Sequence, residues 1–171
     1  MLFREIVDRI DMLRTAPIFY RERLSCATVT YLKPMSKKER GIYLPECETE
    51  AFYKNAKSNN PIEFEHMRSI IEGICECNEY TYSLFNVLHE LGHWTHYCQY
   101  RERGYSDCDY VAAFEADRIK LYAQRSAEAN LLDNDTIEEF NHKYSKLYCE
   151  LCTEREANRF AARHLADYLI I

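Results

Sequence analysis

The sequence predicts an α+β fold that is predominantly helical and contains one small antiparallel β-hairpin. Apolar residues recur at the three- and four-residue spacing of amphipathic helices through most of the chain. β-Branched and aromatic residues concentrate instead between Ser25 and Leu32, and a second short stretch of this kind follows. With 171 residues, of which 47% are apolar, the chain can bury a sizeable core, and we expect one domain over residues 1–171.

The amino-terminal part is predicted to contain one helix and the hairpin. Apolar spacing predicts a helix from Leu2 to Arg14, which the Pro17 region ends. The stretch Ser25–Leu32 predicts a strand, and Pro34–Gly41 predicts a turn. A short second strand is expected over Gly41–Pro45, where proline stops it.

The remaining chain is predicted to be mostly helical. The expected helices are Glu48–Lys57, Ile62–Glu72, about Thr81–Arg103, Tyr110–Ala129 and about Ile137–Leu169. Pro61 suits the first turn of the second of these helices, and Gly104 suits the end of the third. The stretch Ile74–Cys77 is either a strand or a connector, and Leu132–Asp135 is expected to be a loop.

Composition excludes several functional classes. The net charge is −6, and the one basic cluster, Ser36–Arg40, is interpreted as a solvated turn, so we expect no direct nucleic-acid binding. No stretch approaches 18 uncharged apolar residues, which argues against a membrane span. The first ten residues lack the apolar segment of a secretory signal, so a cytoplasmic location and reduced thiols are expected for the eight cysteines.

The motif with the clearest chemical meaning is His89-Glu90-Leu91-Gly92-His93, an HExxH pattern. Histidines four residues apart lie on one face of a helix, so both imidazoles can reach a single Zn²⁺ ion. Glu90 lies beside that face, where its carboxylate can take a proton from a water molecule that the metal activates. Gly92 is unfavourable inside a helix, but its small size would let another element approach closely.

A catalytic zinc site needs a third protein ligand, and two glutamates are candidates. Glu154 falls in an apolar stripe of the last predicted helix, together with Leu147, Leu151, Ala161 and Leu165. A carboxylate in such an interface is costly unless it is paired or binds a metal, which favours Glu154. Asn158, one turn later, is placed to orient a ligand by a hydrogen bond. Glu115 is the alternative, although Arg118 lies one turn away and can pair with it.

These residues resemble a known family. The HELGH run, followed by Glu154, Ala157, Asn158, Phe160 and Ala161 in the pattern ExxANxFA, resembles the ImmA/IrrE family of metallopeptidases. The resemblance implies a zincin-like fold and a zinc-dependent endopeptidase. It implies His89, His93 and Glu154 as metal ligands, and Glu90 as the general base. The implied partner is a protein or peptide substrate, often a repressor or other regulator in phage, mobile-element or stress-response settings.

The chain departs from that family in several places, including the absence of the family's usual proline after the second motif, where His164–Tyr168 stands instead. The segment between the two motifs is long, as if residues 104–142 were a helical insertion. Tyr97 occupies a position where the family often has histidine, and His96 lies one place early. The run His89–Thr95 is also similar to the zincin module of ArdC-type antirestriction proteins, in which a glutamate follows at a shorter spacing, as Glu115 does here.

Three questions stay open at this level. His96, Tyr97 and Tyr100 share the face of the histidines, so each is a candidate to stabilise an oxyanion, although packing roles are favoured. The domain is alternatively a non-catalytic one that zinc stabilises, or a hydrolase of another amide. The close cysteine pairs, Cys75/Cys77 and Cys149/Cys152, are interpreted as ordinary thiols and not as a second metal site.

Overall fold

The protein is mostly helical, with a small three-stranded sheet. The computed structural model describes residues 1–32, 39–130 and 136–169. Its α-helices are α1 (Phe3–Val7), α2 (Thr49–Asn59), α3 (Pro61–Glu72), α4 (Glu79–Glu102), α5 (Asp107–Tyr110), α6 (Ala116–Ala129), α7 (Ile137–Cys149) and α8 (Cys152–Leu165). Its strands are β1 (Ile18–Arg21), β2 (Val29–Tyr31) and β3 (Gly41–Pro45). In the described part of the chain, no helix combines the length and apolar character that a membrane crossing requires.

The sheet is mixed, in the order β1-β3-β2. The predicted antiparallel pair is confirmed, since β2 pairs with β3 in the register Val29 to Tyr43. The expectation of a purely antiparallel sheet was wrong, because β1 lies parallel to β3 on the other side. Strand β1 follows Pro17, and Gly41 allows the two backbones to approach, since a β-carbon there would lie 2.4 Å from the Pro17 carbonyl oxygen. Most of the predicted turn, residues 34–38, lies outside the described residues.

Helix α4 is the central element of the fold, and it carries the HExxH motif. Its first turn is capped by Asn78, whose side chain accepts hydrogen bonds from the backbone N–H groups of Tyr80 and Thr81, both at 3.0 Å. Every residue from Thr81 to Gly92 is buried, so this half of the helix lies inside the protein. The second half, after Gly92, is mostly only partly buried. The predicted helix of about Thr81–Arg103 is therefore confirmed, but its polar face is not open to solvent at the motif.

Helices α4 and α8 pack closely against each other at Gly92. A β-carbon on Gly92 would lie 3.0 Å from the β-carbon of Phe160 and 3.1 Å from the α-carbon of Ala157. Both distances are shorter than ordinary carbon–carbon contacts of about 3.5–4.0 Å. The expected close approach at Gly92 is confirmed, and α8 is the element that makes it. This packing sets the distance between the two helices that carry the predicted ligands.

Two predicted helices are interrupted in the structure. The segment Leu2–Arg14 forms α1 and a separate 3₁₀ turn, Asp11–Thr15, with Ile10 extended between them. The apolar residues still face the core, because two short turns bury the same positions as one helix. Short helical segments are marginal on their own, so tertiary contacts decide where they break.

The last predicted helix, Ile137–Leu169, breaks at Leu151, which is extended. Helix α7 packs against α3, whereas α8 packs against α4, and one straight helix would not reach both. Leu147 is 36% exposed and does not share the buried face of Ala161 and Leu165, so that part of the predicted stripe was wrong. The segment Tyr110–Ala129 is helical as expected but includes a π-helical turn at Val111–Glu115.

Two further expectations stay predictions. One is a single domain over residues 1–171, and the other is an insertion over residues 104–142, where α5, α6 and the start of α7 lie. The predicted loop Leu132–Asp135 falls outside the described residues. The stretch Ile74–Cys77 is a connector between α3 and α4.

Candidate metal centre

Three predicted ligands converge between α4 and α8. The Nε2 atoms of His89 and His93 lie 3.1 Å apart. The Oε2 atom of Glu154 lies 3.2 Å from Nε2 of His89 and 3.5 Å from Nε2 of His93. The potential ligand atoms of the three residues all lie within 4.8 Å of one another, so the group can hold one metal ion.

The Glu154 carboxylate is buried, and only one of its two oxygens has a polar partner among the described residues. Its side chain is 4% exposed, and its Oε1 atom has no hydrogen-bond partner in the described structure. Burial alone would raise the pKa of Glu154, but the nearby imidazoles of His93 and His89 hold that pKa well below its usual range. Burial alone would likewise lower the pKa of His89, yet its hydrogen bond to Glu154 and the charge of that carboxylate raise it. A buried carboxylate that has one unpaired oxygen and lies next to two imidazoles is typical of a metal ligand.

Asn158 fixes the orientation of one imidazole. The Nδ1–H group of His89 donates a hydrogen bond to Oδ1 of Asn158 at 2.8 Å. With the proton on Nδ1, the Nε2 lone pair points toward Glu154 and His93, as metal binding requires. The side-chain amide of Asn158 also lies 3.4 Å from Nε2 of His66. The expected role of Asn158 as the partner of a ligand therefore fits the structure.

Replacing Asn158 is expected to weaken metal binding without unfolding the protein. The variant Asn158→Ala leaves Nδ1 of His89 without its acceptor, so the imidazole can rotate or change tautomer. Loss of such a supporting hydrogen bond typically lowers metal affinity by about 10–100-fold. Zinc affinity is measured by competition with a chromophoric chelator, next to Asn141→Ala, an exposed asparagine on α7. Equal affinities in the parent and in Asn158→Ala would contradict this role.

Glu90 does not lie within the ligand group but beside it. Its side chain is buried, and its Oε1 atom accepts a hydrogen bond from the Thr28 hydroxyl at 2.8 Å. The backbone carbonyl of Glu90 accepts a second hydrogen bond from the Thr30 hydroxyl at 2.9 Å. Strand β2 and the residue before it therefore hold this part of α4. Among the described residues no hydrogen bond to Oε2 of Glu90 is present, which leaves that oxygen for another partner.

Glu90, His89 and Glu154 all border a small space, which we call the inner cavity. Its volume is about 70 Å³, enough for solvent but not for a peptide. Thr28, Glu63 and Tyr148 also line it. The same three residues line a neighbouring space of about 210 Å³, the outer pocket, between the β2 region and helices α6 and α7. The inner cavity thus adjoins a larger pocket through shared lining residues.

Two other spaces are less closely related to the centre. A groove of about 280 Å³ borders His93 on the side of His96 and Phe160, but Glu90 does not line it. A more spacious pocket, about 680 Å³, lies near Tyr20, Arg21 and Tyr43 of the sheet, and none of the predicted site residues lines it. Size alone therefore does not identify the site, whereas the arrangement of ionisable groups does.

Glu115 is not part of the centre. Its carboxylate is buried and forms an ion pair with Arg118, one turn later on the adjoining helix α6. This is the ordinary structural pairing that the sequence suggested for it. The structure brings Glu154, and not Glu115, to the two histidines.

The three predicted oxyanion candidates face an aromatic cluster away from the inner cavity. The Nδ1 atom of His96 lies 3.2 Å from the Tyr110 hydroxyl. The Tyr97 hydroxyl donates to Asp107 at 2.7 Å and accepts from Arg40 at 3.0 Å. Tyr100 stacks on Tyr105. None of His96, Tyr97 and Tyr100 lines the inner cavity, so packing roles, as favoured from the sequence, fit them.

Sequence reasoning missed three residues at the centre: Thr28, Glu63 and Tyr148. Thr28 belongs to a stretch that indicates only a strand, and Glu63 and Tyr148 lie on amphipathic helices without a motif. Burial raises the pKa of Glu63, and the negative charge of Glu154 raises it further. No local pattern identifies such residues, because only the packing of β2, α3 and α7 around α4 and α8 brings them together.

The cysteines are all free thiols. Cys149 is buried and Cys152 is exposed, although they are only three residues apart. The metal-ligand group found among the described residues contains no cysteine. No protein-family model, curated protein or solved structure matches this chain.

Proposed function

We propose that this protein is a zinc-dependent endopeptidase with a zincin-like fold. The observation that carries the proposal is the convergence of His89, His93 and Glu154 beside a cavity that Glu90 lines. An ion held by the first three residues would lie next to a carboxylate able to exchange protons. The resemblance of both motifs to the ImmA/IrrE metallopeptidases supports the same assignment, and it makes a repressor-like regulator our proposed substrate.

The spacing of the ligand atoms supports zinc. A tetrahedral zinc ion with bonds of about 2.0–2.1 Å sets its ligand atoms roughly 3.3–3.4 Å apart. The three separations here are 3.1, 3.2 and 3.5 Å. Two imidazoles and one carboxylate are also a common ligand set of catalytic zinc. The side chains thus fit the ion with little rearrangement.

The number of ligands favours catalysis over a purely structural site. A structural zinc site normally has four protein ligands, whereas a catalytic site has three and keeps one position for water or substrate. Among the described residues, three side chains, those of His89, His93 and Glu154, are placed to bind one metal ion. The inner cavity provides room for solvent beside them.

The proposed reaction is hydrolysis of a peptide bond. A bound zinc ion would supply Lewis acidity, which lowers the pKa of water and polarises the scissile carbonyl. The oxygen of the attacking water bonds to the carbonyl carbon, and Glu90 takes the proton that this water loses. Glu90 then delivers this proton to the amide nitrogen as the C–N bond breaks. The products are a new carboxyl terminus, which loses the second water proton to solvent, and a new amino terminus. The hydrogen bond from Thr28 keeps the Glu90 carboxylate directed at the cavity.

Zinc is expected to stabilise the fold, and loss of Glu154 is expected to remove that effect. A ligand at 1,000 times its Kd stabilises by about 4.1 kcal/mol, which corresponds to roughly 8–16 °C in Tm for a chain of this size. The variant Glu154→Gln removes the anionic ligand and should lose most of the shift. Thermal unfolding with zinc and with chelator measures it. The matched control is Glu156→Gln, an exposed residue that pairs with Arg159.

Cleavage itself is tested on the same samples. Zinc-loaded protein is incubated with a peptide library, and new amino termini are identified by mass spectrometry. We expect cleavage by the zinc-loaded parent and by Glu156→Gln, and none by the chelator-treated protein or by Glu154→Gln. A protein that binds zinc and gains stability but cleaves nothing would favour the non-catalytic alternative.

A further inference from the structure

Two tyrosines, Tyr82 and Tyr148, line the proposed catalytic space, and the ring of Tyr82 is packed against Phe52, Tyr53 and Phe64. Tyr148 lies on α7, one residue before the end of that helix, and its side chain lines the inner cavity together with His89, Glu90 and Glu154. It also lines the outer pocket, so it stands where the two spaces meet. No element of the HExxH motif places it there, because α7 reaches the centre through its packing against α3, α6 and α8.

The phenol of Tyr148 is neutral and close to both functional carboxylates. Burial raises its pKa well above the ordinary value, and the negative charges of Glu154 and Glu90 add to that effect. A neutral phenol keeps its proton and can donate it in a hydrogen bond. No hydrogen bond of this hydroxyl to any other described residue is present. The Tyr148 hydroxyl is therefore a hydrogen-bond donor that no other described residue uses. It borders the cavity in which the negative charge of an oxyanion would develop.

Other donors near the centre are already engaged. Arg118 forms its ion pair with Glu115 and lines neither the inner cavity nor the outer pocket. The hydroxyl of Tyr97 is held by Asp107, and His96 contacts Tyr110. His96 lines the groove that borders His93, and Glu90 does not line that groove, so the proposed base and His96 do not share a space. The cavity that holds the base is the one that Tyr148 lines.

We propose that Tyr148 is a catalytic residue, which donates a hydrogen bond from its hydroxyl to the oxyanion formed on the scissile carbonyl. This inference rests on the proposed peptidase function. Tyr148 undergoes no covalent change: its O–H group binds the developing oxyanion as water adds, and releases it when the C–N bond breaks. A donor directed at this charge acts on the transition state more than on the substrate, so its loss lowers kcat more than it changes KM.

The first test compares Tyr148→Phe with the parent in peptide hydrolysis. Removal of one oxyanion donor lowers kcat by about 100–1,000-fold, and we expect a fall of that order with KM changed by less than about threefold. The matched control is Tyr53→Phe on α2, a partly buried tyrosine that is packed among rings and does not itself line the inner cavity. Its kcat should equal that of the parent. A kcat for Tyr148→Phe within threefold of the parent value would overturn the assignment.

The second test does not depend on peptidase activity. Acetohydroxamic acid, a small chelator that binds zinc as its anion and whose oxygens then stand in for the oxyanion, is titrated against the zinc-loaded parent and variants. We expect Tyr148→Phe to bind it at least about tenfold more weakly, since hydrogen bonds to charged groups have effects of that size. Zinc affinity and the Tm of the chelated protein should stay unchanged, which a merely structural role for Tyr148 would not predict.

The two proposals fail in different ways. If the parent binds zinc but cleaves no peptide, the proposed function is wrong, and the acetohydroxamate comparison still decides whether Tyr148 binds an oxyanion. If the parent cleaves peptides while Tyr148→Phe matches it in kcat and in acetohydroxamate affinity, only the role of Tyr148 is wrong. If the parent binds no zinc, both are overturned.

Discussion

The variant Glu90→Gln is expected to keep zinc and to lose nearly all peptide cleavage. The amide has the shape of the carboxylate, and its oxygen can still accept the hydrogen bond of the Thr28 hydroxyl, which the parent forms at 2.8 Å. It cannot take the proton of the attacking water, so the general-base step is lost. Positioned general bases contribute about 10²–10⁴-fold to rates, and we expect kcat to fall within that range or below detection. The proposed metal ligands His89, His93 and Glu154 are untouched, so zinc affinity should change little.

The control for this variant lies on the same helix. Glu79 is an exposed carboxylate in the first turn of α4, and Glu79→Gln makes the same chemical change away from the cavity. Kinetics on a cleaved peptide and zinc competition are measured for both variants. Cleavage by Glu90→Gln at the parental rate would remove Glu90 from the mechanism. Loss of zinc together with activity would instead assign Glu90 a role in holding the ligands.

The contrast between Glu90 and Tyr148 shows what can be predicted about the site from sequence. His89, Glu90 and His93 are related by helical spacing, which is a local property that the sequence displays directly. Glu154 was identified by a different argument, the cost of a charge on an apolar helix face, and the structure places its carboxylate 3.2 Å from His89. Tyr148 offers neither signal. It reaches the cavity because α7 ends beside α8, and that is a property of the tertiary packing.

The fold shows the same division. The helices from α2 to α4 were predicted because each has a strong local pattern and clear boundaries, such as Pro61 at the start of α3. The break at Leu151 has no glycine or proline to mark it, since it is required only by the different partners of α7 and α8. Strand β1 was missed because four residues carry little periodicity. Its place beside β3 depends on the close approach at Gly41.

Gly92 connects the packing of the fold to the geometry of the site. It lies between His89 and His93 in sequence, and its missing side chain lets α8 approach α4. The facing residue of α8, Ala157, lies between Glu154 and Asn158 in the same way. Any displacement of α8 at this point therefore moves the carboxylate ligand and the partner of His89 together. Stability and metal affinity are coupled through one contact between two backbones.

We expect Gly92→Val to be strongly destabilising and to abolish high-affinity zinc binding. Its β-carbon would lie 3.1 Å from the α-carbon of Ala157, and two further methyl groups add bulk at this contact. Overpacking of this kind costs about 1–3 kcal/mol, and occasionally more. The control Gln99→Val places the same β-branched residue at an exposed position of α4. Its free energy of unfolding should fall only by the small difference in helix propensity between glutamine and valine. Chemical denaturation and zinc competition measure both effects.

The smaller change Gly92→Ala separates the effect on stability from the effect on zinc affinity. Alanine is favoured over glycine in a helix by about 1 kcal/mol, which opposes the cost of moving Ala157 and Phe160 by a few tenths of an ångström. The stability of the metal-free protein should therefore change little, whereas zinc affinity should fall, because the helices can adjust only by moving Glu154 away from the imidazoles. If Gly92→Ala binds zinc as tightly as the parent, the ligand geometry does not depend on this contact, and the close packing of α4 and α8 serves stability alone.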